Sequence, residues 1–195
     1  MRKATIVRKT NETVIKIKIN LDGSGQYDID TGIPFFDHML TQVAIHGLFD
    51  LEIDATGDLE IDQHHTIEDV ALSLGQGFQE ALGDKAGIER MGQALVPMDE
   101  SLCQVILDFS GRPYLVYDAA WEDPRVGGFP VTLVEHFFYS FCMSSKSTLH
   151  TRVLYGKDNH HKVEALFKAF GRALKKAAAL DPRRQDQIPS SKGVL

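Results

Sequence analysis

Ile15, Ile17 and Ile19 alternate with Lys16 and Lys18, the period-two pattern of a strand with one wet face. Ala4 to Arg8 before it and Tyr27 to Ile29 after it also read as short strands, and Asp22-Gly23-Ser24-Gly25 supplies a turn. At Pro34 the period changes. Proline suits the first turn of a helix, and Phe36, Met39, Leu40 and Val43 share one side until Gly47 closes it. Leu51 and Ile53 alternate with acids in a further strand, and Gly57-Asp58 turns the chain. Ile67, Val70, Ala71, Leu74, Phe78 and Leu82 then predict a long amphipathic helix.

The second part of the chain repeats that order. Strands are expected at Ala94–Met98, Leu102–Phe109 and Tyr114–Ala119, a helix from Val131 to Phe141, a strand at Leu149–Leu154, and a helix from His160 to Leu180. Each part reads strand, strand, strand, helix, strand, helix, with the join in the glycine-rich segment Gly83–Gly92. The expected organisation is a first repeat half over 1–92, a second over 93–180 and a polar tail over 181–195, where Pro182 and Pro189 block further helix. Two half-buried sheets with amphipathic helices must hide their apolar faces together, so one α+β body with pseudo-two-fold symmetry is predicted.

Composition narrows the function classes. At 195 residues the chain can bury about 70% of its unfolded surface, enough for a core without staples. The net charge of −6 argues against a broad nucleic-acid surface, so an anionic ligand needs a local basic cluster. Cys103 and Cys142 lie in no Cys-x-x-Cys pattern and are expected to be free, buried thiols of a reducing compartment. The amino-terminal MRKATIVRKT has no apolar signal core and no run reaches membrane-spanning length, so a protein without membrane partners is expected, cytoplasmic or else organellar after removal of a targeting segment.

The histidines carry the chemistry. His-His-x-x-Glu occurs twice, as His64, His65, Glu68 and as His160, His161, Glu164. Each copy follows an acid-His pair, Asp37-His38 or Glu135-His136, at nearly the same interval. Residues four apart share a helix face, so His64 can converge with Glu68 and His160 with Glu164. Adjacent residues point about 100° apart, so the simplest use of a doubled histidine is to serve two different metals. With His38 and His136 this gives eight ligands for two ions, and mixed nitrogen and oxygen donors with open positions suit manganese or iron(II). Which ligands share an ion stays open at this level. His46 lies about 80° round the helix from His38 and can face the same cavity; His150 has no role. A di-metal hydrolase would want a bridging carboxylate, and a metal-storage shell would leave the tail's cations without purpose.

The segments FFDHMLTQVAIHG, DQHHTIED, VEHFFYSF, DNHHKVEALFKAFGRAL and DPRRQDQIPSSKGVL closely resemble the imidazoleglycerol-phosphate dehydratase family of histidine biosynthesis, over Arg2 to Leu195. The resemblance implies the monofunctional form, with helices packed between two four-stranded sheets. It implies two Mn2+ per active site, held by the residues matching His38, His64, His65, Glu68, His136, His160, His161 and Glu164. It also implies a homo-oligomeric 24-subunit shell assembled by metal, with active sites where subunits meet. The implied reaction converts D-erythro-imidazole glycerol phosphate to imidazole acetol phosphate and water through a di-manganese-bound imidazolate.

That substrate lacks a carbonyl beside the acidic carbon, so charge must be stored on its ring while the neighbouring hydroxyl leaves. A proton-transferring group is then needed near both. The resemblance points to Glu12, with His46 as a partner, and both are also expected to touch substrate along with His38. For the phosphate it points to Arg90, Arg112, Lys168 and the run Ser190, Ser191, Lys192, with the tail closing over the active site.

Overall fold

The computed structural model describes residues 2–184 and 187–195. Three strands open the chain: β1 (Lys3–Lys9), β2 (Thr13–Asn20) and β3 (Tyr27–Asp30). Helix α1 (Pro34–Gly47), strand β4 (Asp50–Gly57) and helix α2 (His64–Leu82) complete the first half. The second half follows with β5 (Met91–Met98), β6 (Ser101–Asp108) and β7 (Tyr114–Asp118). A short ribbon, β8 (Arg125–Val126) and β9 (Phe129–Pro130), precedes α3 (Thr132–Ser145), β10 (Thr148–Tyr155) and α4 (Asn159–Ala178).

The two four-stranded sheets have the same wiring. Their orders are β1-β2-β4-β3 and β5-β6-β10-β7, each with two antiparallel pairs and one parallel pair across the helix crossover. The predicted duplication is therefore a duplication of topology as well as of element order. Ile15, Ile17 and Ile19 of β2 are buried while Lys16 and Lys18 are exposed, as their alternation requires.

Helix α2 covers β1 and β2, and α4 covers β5 and β6; between these layers α1 packs on α4 and α2 on α3. The helices are thus sandwiched between the sheets, and each helix pair joins one half to the other. Two glycines permit that approach. A Cβ at Gly75 of α2 would meet Ser144 Oγ and lie 2.6 Å from the Phe141 carbonyl oxygen on α3. One at Gly171 of α4 would lie 2.9 Å from the Val43 carbonyl oxygen on α1. A knot of Phe36, Phe137, Phe138, Phe141, Phe167 and Phe170 fills the space between the pairs.

The observed elements differ from those predicted in several places; α3, for instance, runs on to Ser145 rather than ending at Phe141. Strand β5 begins at Met91 rather than Ala94, so the second sheet starts just inside the segment assigned to the first half. The ribbon β8–β9 was not predicted, because two-residue strands carry no period. Cys103 and Cys142 are free and buried. Among the described residues no helix is long and apolar enough to cross a membrane.

Candidate metal centres

Helix packing brings the histidine motifs together across the halves. On the α1–α4 pair, His38 Nε2 and His160 Nε2 lie 3.1 and 3.0 Å from the same oxygen, Glu164 Oε2. On the α2–α3 pair, Glu68 lies 3.8 Å from His64 Nε2 and 3.6 Å from His136 Nε2. In each triad the three ligand atoms fall within 4.8 Å of one another. Every triad takes two residues from one half and one from the other. Pairing by helix contact explains that division: α1 packs on α4 and α3 on α2, which sets His38 against the start of α4 and His136 against the start of α2.

The donor sets fit a divalent cation. Two imidazoles and one carboxylate converge without filling a coordination shell. Among the described residues His136 Nε2 is buried without a hydrogen-bond partner, an orphaned acceptor or donor aimed at the Glu68–His64 cluster. Burial, with the neighbouring His64, pushes the His136 imidazole below its ordinary pKa, toward the neutral form a metal requires. Glu164 is also prepared: burial would raise its pKa, but the hydrogen bonds from Lys168 and His38 outweigh it and keep the carboxyl low. Gln42 lies 3.4 Å from His38 Nδ1, on the side of the ring away from Glu164.

The second histidine of each doublet stands apart. The rings of His64 and His65 are 85° to one another, and those of His160 and His161 are 83°. His65 Nδ1 faces Asp58 at 3.0 Å and Glu12 at 3.8 Å. The hydrogen bond to Asp58 raises the His65 pKa. His161 Nδ1 faces Glu100 at 2.8 Å. Among the described residues neither belongs to a triad, and His161 Nε2 lies 3.8 Å from Asp99 Oδ2.

The local sequence sets these helix starts. Asp62 and Asp158 each sit two residues before a His-His pair, and each accepts the backbone N–H of the first histidine at 2.7 Å. This Asp-x-His-His capping arrangement aims the doublets. The acids preceding His38 and His136 do not join the triads. Asp37 accepts from the Thr31 hydroxyl and backbone N–H, and Glu135 is exposed. Lys162 is buried beside His161, where it donates to the Ala120 carbonyl, contacts Glu122 and ties the loop over Trp121 to α4.

The residues expected at substrate separate into three places. Glu12 lies in the β1–β2 hairpin beside His65. Lys168 is bound to Glu164 at 2.8 Å, and His46 lines a cavity of about 310 Å³ with Gln93, Arg172, Lys175 and Lys176. Burial and the charges of Lys168 and Arg172 keep His46 below its ordinary pKa. Glu12 and His46 thus occupy different clusters of one chain rather than acting as direct partners within it.

The third place is the far end of α4. Arg90 makes a bidentate pair with Asp108 at 2.7 and 2.9 Å and donates to the Pro189 carbonyl at 2.8 Å. Arg112 donates to the Ser110 carbonyl, Lys192 N–H donates to Ser190 Oγ, Ser191 is exposed, and Leu195 lies against Gly111. Because Arg90 N–H bonds to Ala177, this cluster lies about 25 Å along α4 from His160 at 1.5 Å per residue. The tail therefore covers the Arg90 end of its own chain, not its own triads. Sequence reasoning missed Asp58, Glu100 and Gln42, whose contacts are long-range or side chain to side chain; only the Asp-x-His-His spacing signalled the capping acids.

Comparison with known proteins gives a consistent picture. A family model described as imidazoleglycerol-phosphate dehydratase matches residues 31–174. The imidazoleglycerol-phosphate dehydratase of Prochlorococcus marinus is 55% identical over 100% of this chain and 97% of its own length. That of Lacticaseibacillus casei is 55% identical over the whole of both. The solved structure of the Pyrococcus furiosus enzyme superposes with a TM-score of 0.85 at 36% identity, covering 97% of this chain and 100% of that one. The Staphylococcus aureus structure gives 0.83 at 37%, covering 92% and 99%.

Proposed function

Since this chain belongs to the imidazoleglycerol-phosphate dehydratase family, and is thereby a hydro-lyase of histidine biosynthesis, we propose that its two cross-half triads are a pair of manganese sites that grip the substrate ring. His38, His160 and Glu164 hold one ion, and His64, Glu68 and His136 the other. Bound there, two divalent ions supply Lewis-acid stabilisation of the negative charge that the imidazole ring must carry.

The outward histidines argue for assembly. His65 and His161 stand beside the triads yet outside them, and each triad offers only three ligands. A second copy that supplies one of these histidines completes four ligands and still leaves positions for substrate. The phosphate cluster points the same way. A separation of about 25 Å along α4 is far longer than a small phosphate ester, so Arg90, Arg112, Ser190, Ser191 and Lys192 serve the triads of another copy. Metal-driven assembly into a 24-subunit shell working in the cytoplasm is the form this takes.

Within that shared site the chain's own residues divide the work. Lys168 steadies Glu164 and adds positive charge near the ring. Glu12, alongside His65, receives the proton from the side-chain carbon and returns one to the leaving hydroxyl or the enol. His46 and its basic neighbours provide a path for phosphate, and the tail excludes water while the ring is activated.

The two cross-half His-His-Glu triads carry this reading. Metal-stripped protein should be inactive on imidazole glycerol phosphate and should regain ketone formation and particle mass together when Mn2+ is restored. Full activity without metal would refute it.

A further inference from the structure

The duplicated halves do not treat their second histidines alike. Glu12 immediately precedes the first residue of β2, and Glu100 immediately precedes the first residue of β6, so the two acids are repeat equivalents in the two hairpins. In the first half, Asp58 follows Gly57 at the end of β4 and takes His65 Nδ1 at 3.0 Å. Glu12 is left at 3.8 Å, outside hydrogen-bond distance. In the second half, the residue that follows Gly156 at the end of β10 is Lys157, which offers no carboxylate.

Glu100 takes over the missing role, and its two oxygens are divided. Oε1 accepts the backbone N–H groups of Lys157 at 3.0 Å and Asp158 at 2.8 Å and the Ser101 hydroxyl at 3.0 Å. Oε2 faces His161 Nδ1 at 2.8 Å. A carboxylate oxygen accepts only, so the neutral His161 ring carries its proton on Nδ1 and its lone pair on Nε2, where Asp99 Oδ2 stands 3.8 Å away, beyond hydrogen-bond distance. Three hydrogen bonds on the other oxygen prevent the carboxylate from swinging away.

The geometry assigns Glu100 as the positioning residue of His161, fixing the tautomer that presents Nε2 as a metal ligand. Once committed to that task, Glu100 has no freedom to move protons. A duplicated protein thereby keeps one hairpin acid, Glu12, whose carboxylate accepts no hydrogen bond from its histidine, and one, Glu100, that is bonded through both oxygens. The inference rests on the reading of His161 as a manganese ligand and specifies how that ligand is aimed.

Glu100→Gln is the selective perturbation. Its amide oxygen can keep the Oε1 contacts while its amide nitrogen, now a donor, faces His161 Nδ1 and drives the proton to Nε2. Mn2+ binding by equilibrium dialysis of the full chain should show one site weakened by about tenfold to a hundredfold, with the other unchanged. Glu12→Gln should leave both sites intact. Nitrogen-15 NMR of histidine-labelled, metal-free protein above the imidazole titration range should find the wild-type His161 proton on Nδ1, with the signal identified by its loss in His161→Ala. A wild-type proton on Nε2, or unaltered Mn2+ affinity in Glu100→Gln beside a weakened His161→Ala, overturns the positioning role. Two full-affinity sites in His161→Ala would instead overturn the ligand assignment beneath it.

Discussion

Gly75→Ala offers a test that runs from packing to chemistry. The added methyl would lie 2.6 Å from the Phe141 carbonyl oxygen and 2.9 Å from the Ser145 backbone nitrogen, closer than real Cβ contacts allow. Ser144 Oγ can rotate away, but the α3 backbone cannot, so the helices must separate. Alanine in a helix interior recovers about 1 kcal/mol over glycine. Overpacking of this kind costs about 1–3 kcal/mol and often more where backbone is the obstacle. The net expectation is a loss of up to about 2 kcal/mol, which lowers the melting temperature by up to about 8 °C for a chain of this size.

The same separation moves His136 on α3 from His64 and Glu68 on α2, while the α1–α4 pair is untouched. Equilibrium dialysis against Mn2+ should therefore find one site weakened about tenfold, the equivalent of about 1.4 kcal/mol, and one at wild-type affinity. Gly171→Ala should give the mirror result, since its methyl would crowd Val43 of α1. Wild-type melting and binding in Gly75→Ala would refute the claim that this glycine sets the helix spacing. Equal loss at both sites would refute the independence of the two pairs.

Glu12→Gln should keep both Mn2+ sites and the assembled mass while losing most turnover; a nearly wild-type rate removes Glu12 from the proton transfer. Truncation after Pro189 should raise the Michaelis constant steeply with metal binding unchanged, and an unaltered constant rejects a phosphate role for Ser190, Ser191 and Lys192. Lys85 is 2% exposed with no partner for Nζ among the described residues, and burial lowers its pKa, so the folded state binds fewer protons than the unfolded one. Stability should rise with pH between the lowered folded value and the unfolded value of about 10.4, and Lys85→Met should abolish that gain. In thermal melts at pH 7, Lys85→Met should be stabilised by about 1–3 kcal/mol; a destabilised variant would show that the amine has a partner.

The alternation of Ile15, Ile17 and Ile19 and the helical stripe of Ile67, Val70, Leu74 and Phe78 were legible because burial follows a single local period. The doubled histidines were legible for the same reason: neighbouring helix positions diverge by a fixed angle, and the rings do stand nearly perpendicular. What local patterns lack is the identity of distant partners. Sequence spacing leaves open which doublet His38 joins, and helix packing places it on Glu164 of the second. The start of β5 was hidden because Gly92 breaks the alternation. A Cβ there would strike the Ala173 carbonyl oxygen of α4, so the glycine serves packing rather than strand period. Asp58 reads as a turn residue, and Glu100 falls between two expected strands with no pattern of its own, until the fold brings the histidines to them.

Anomalous scattering at the manganese edge, from crystals of the full chain grown with excess Mn2+, tests the central claim most directly. Two strong peaks per chain are expected, one among His38, His160 and Glu164 and one among His64, Glu68 and His136, each also touched by a histidine of a neighbouring copy. Density for these side chains with no peak between them would contradict it.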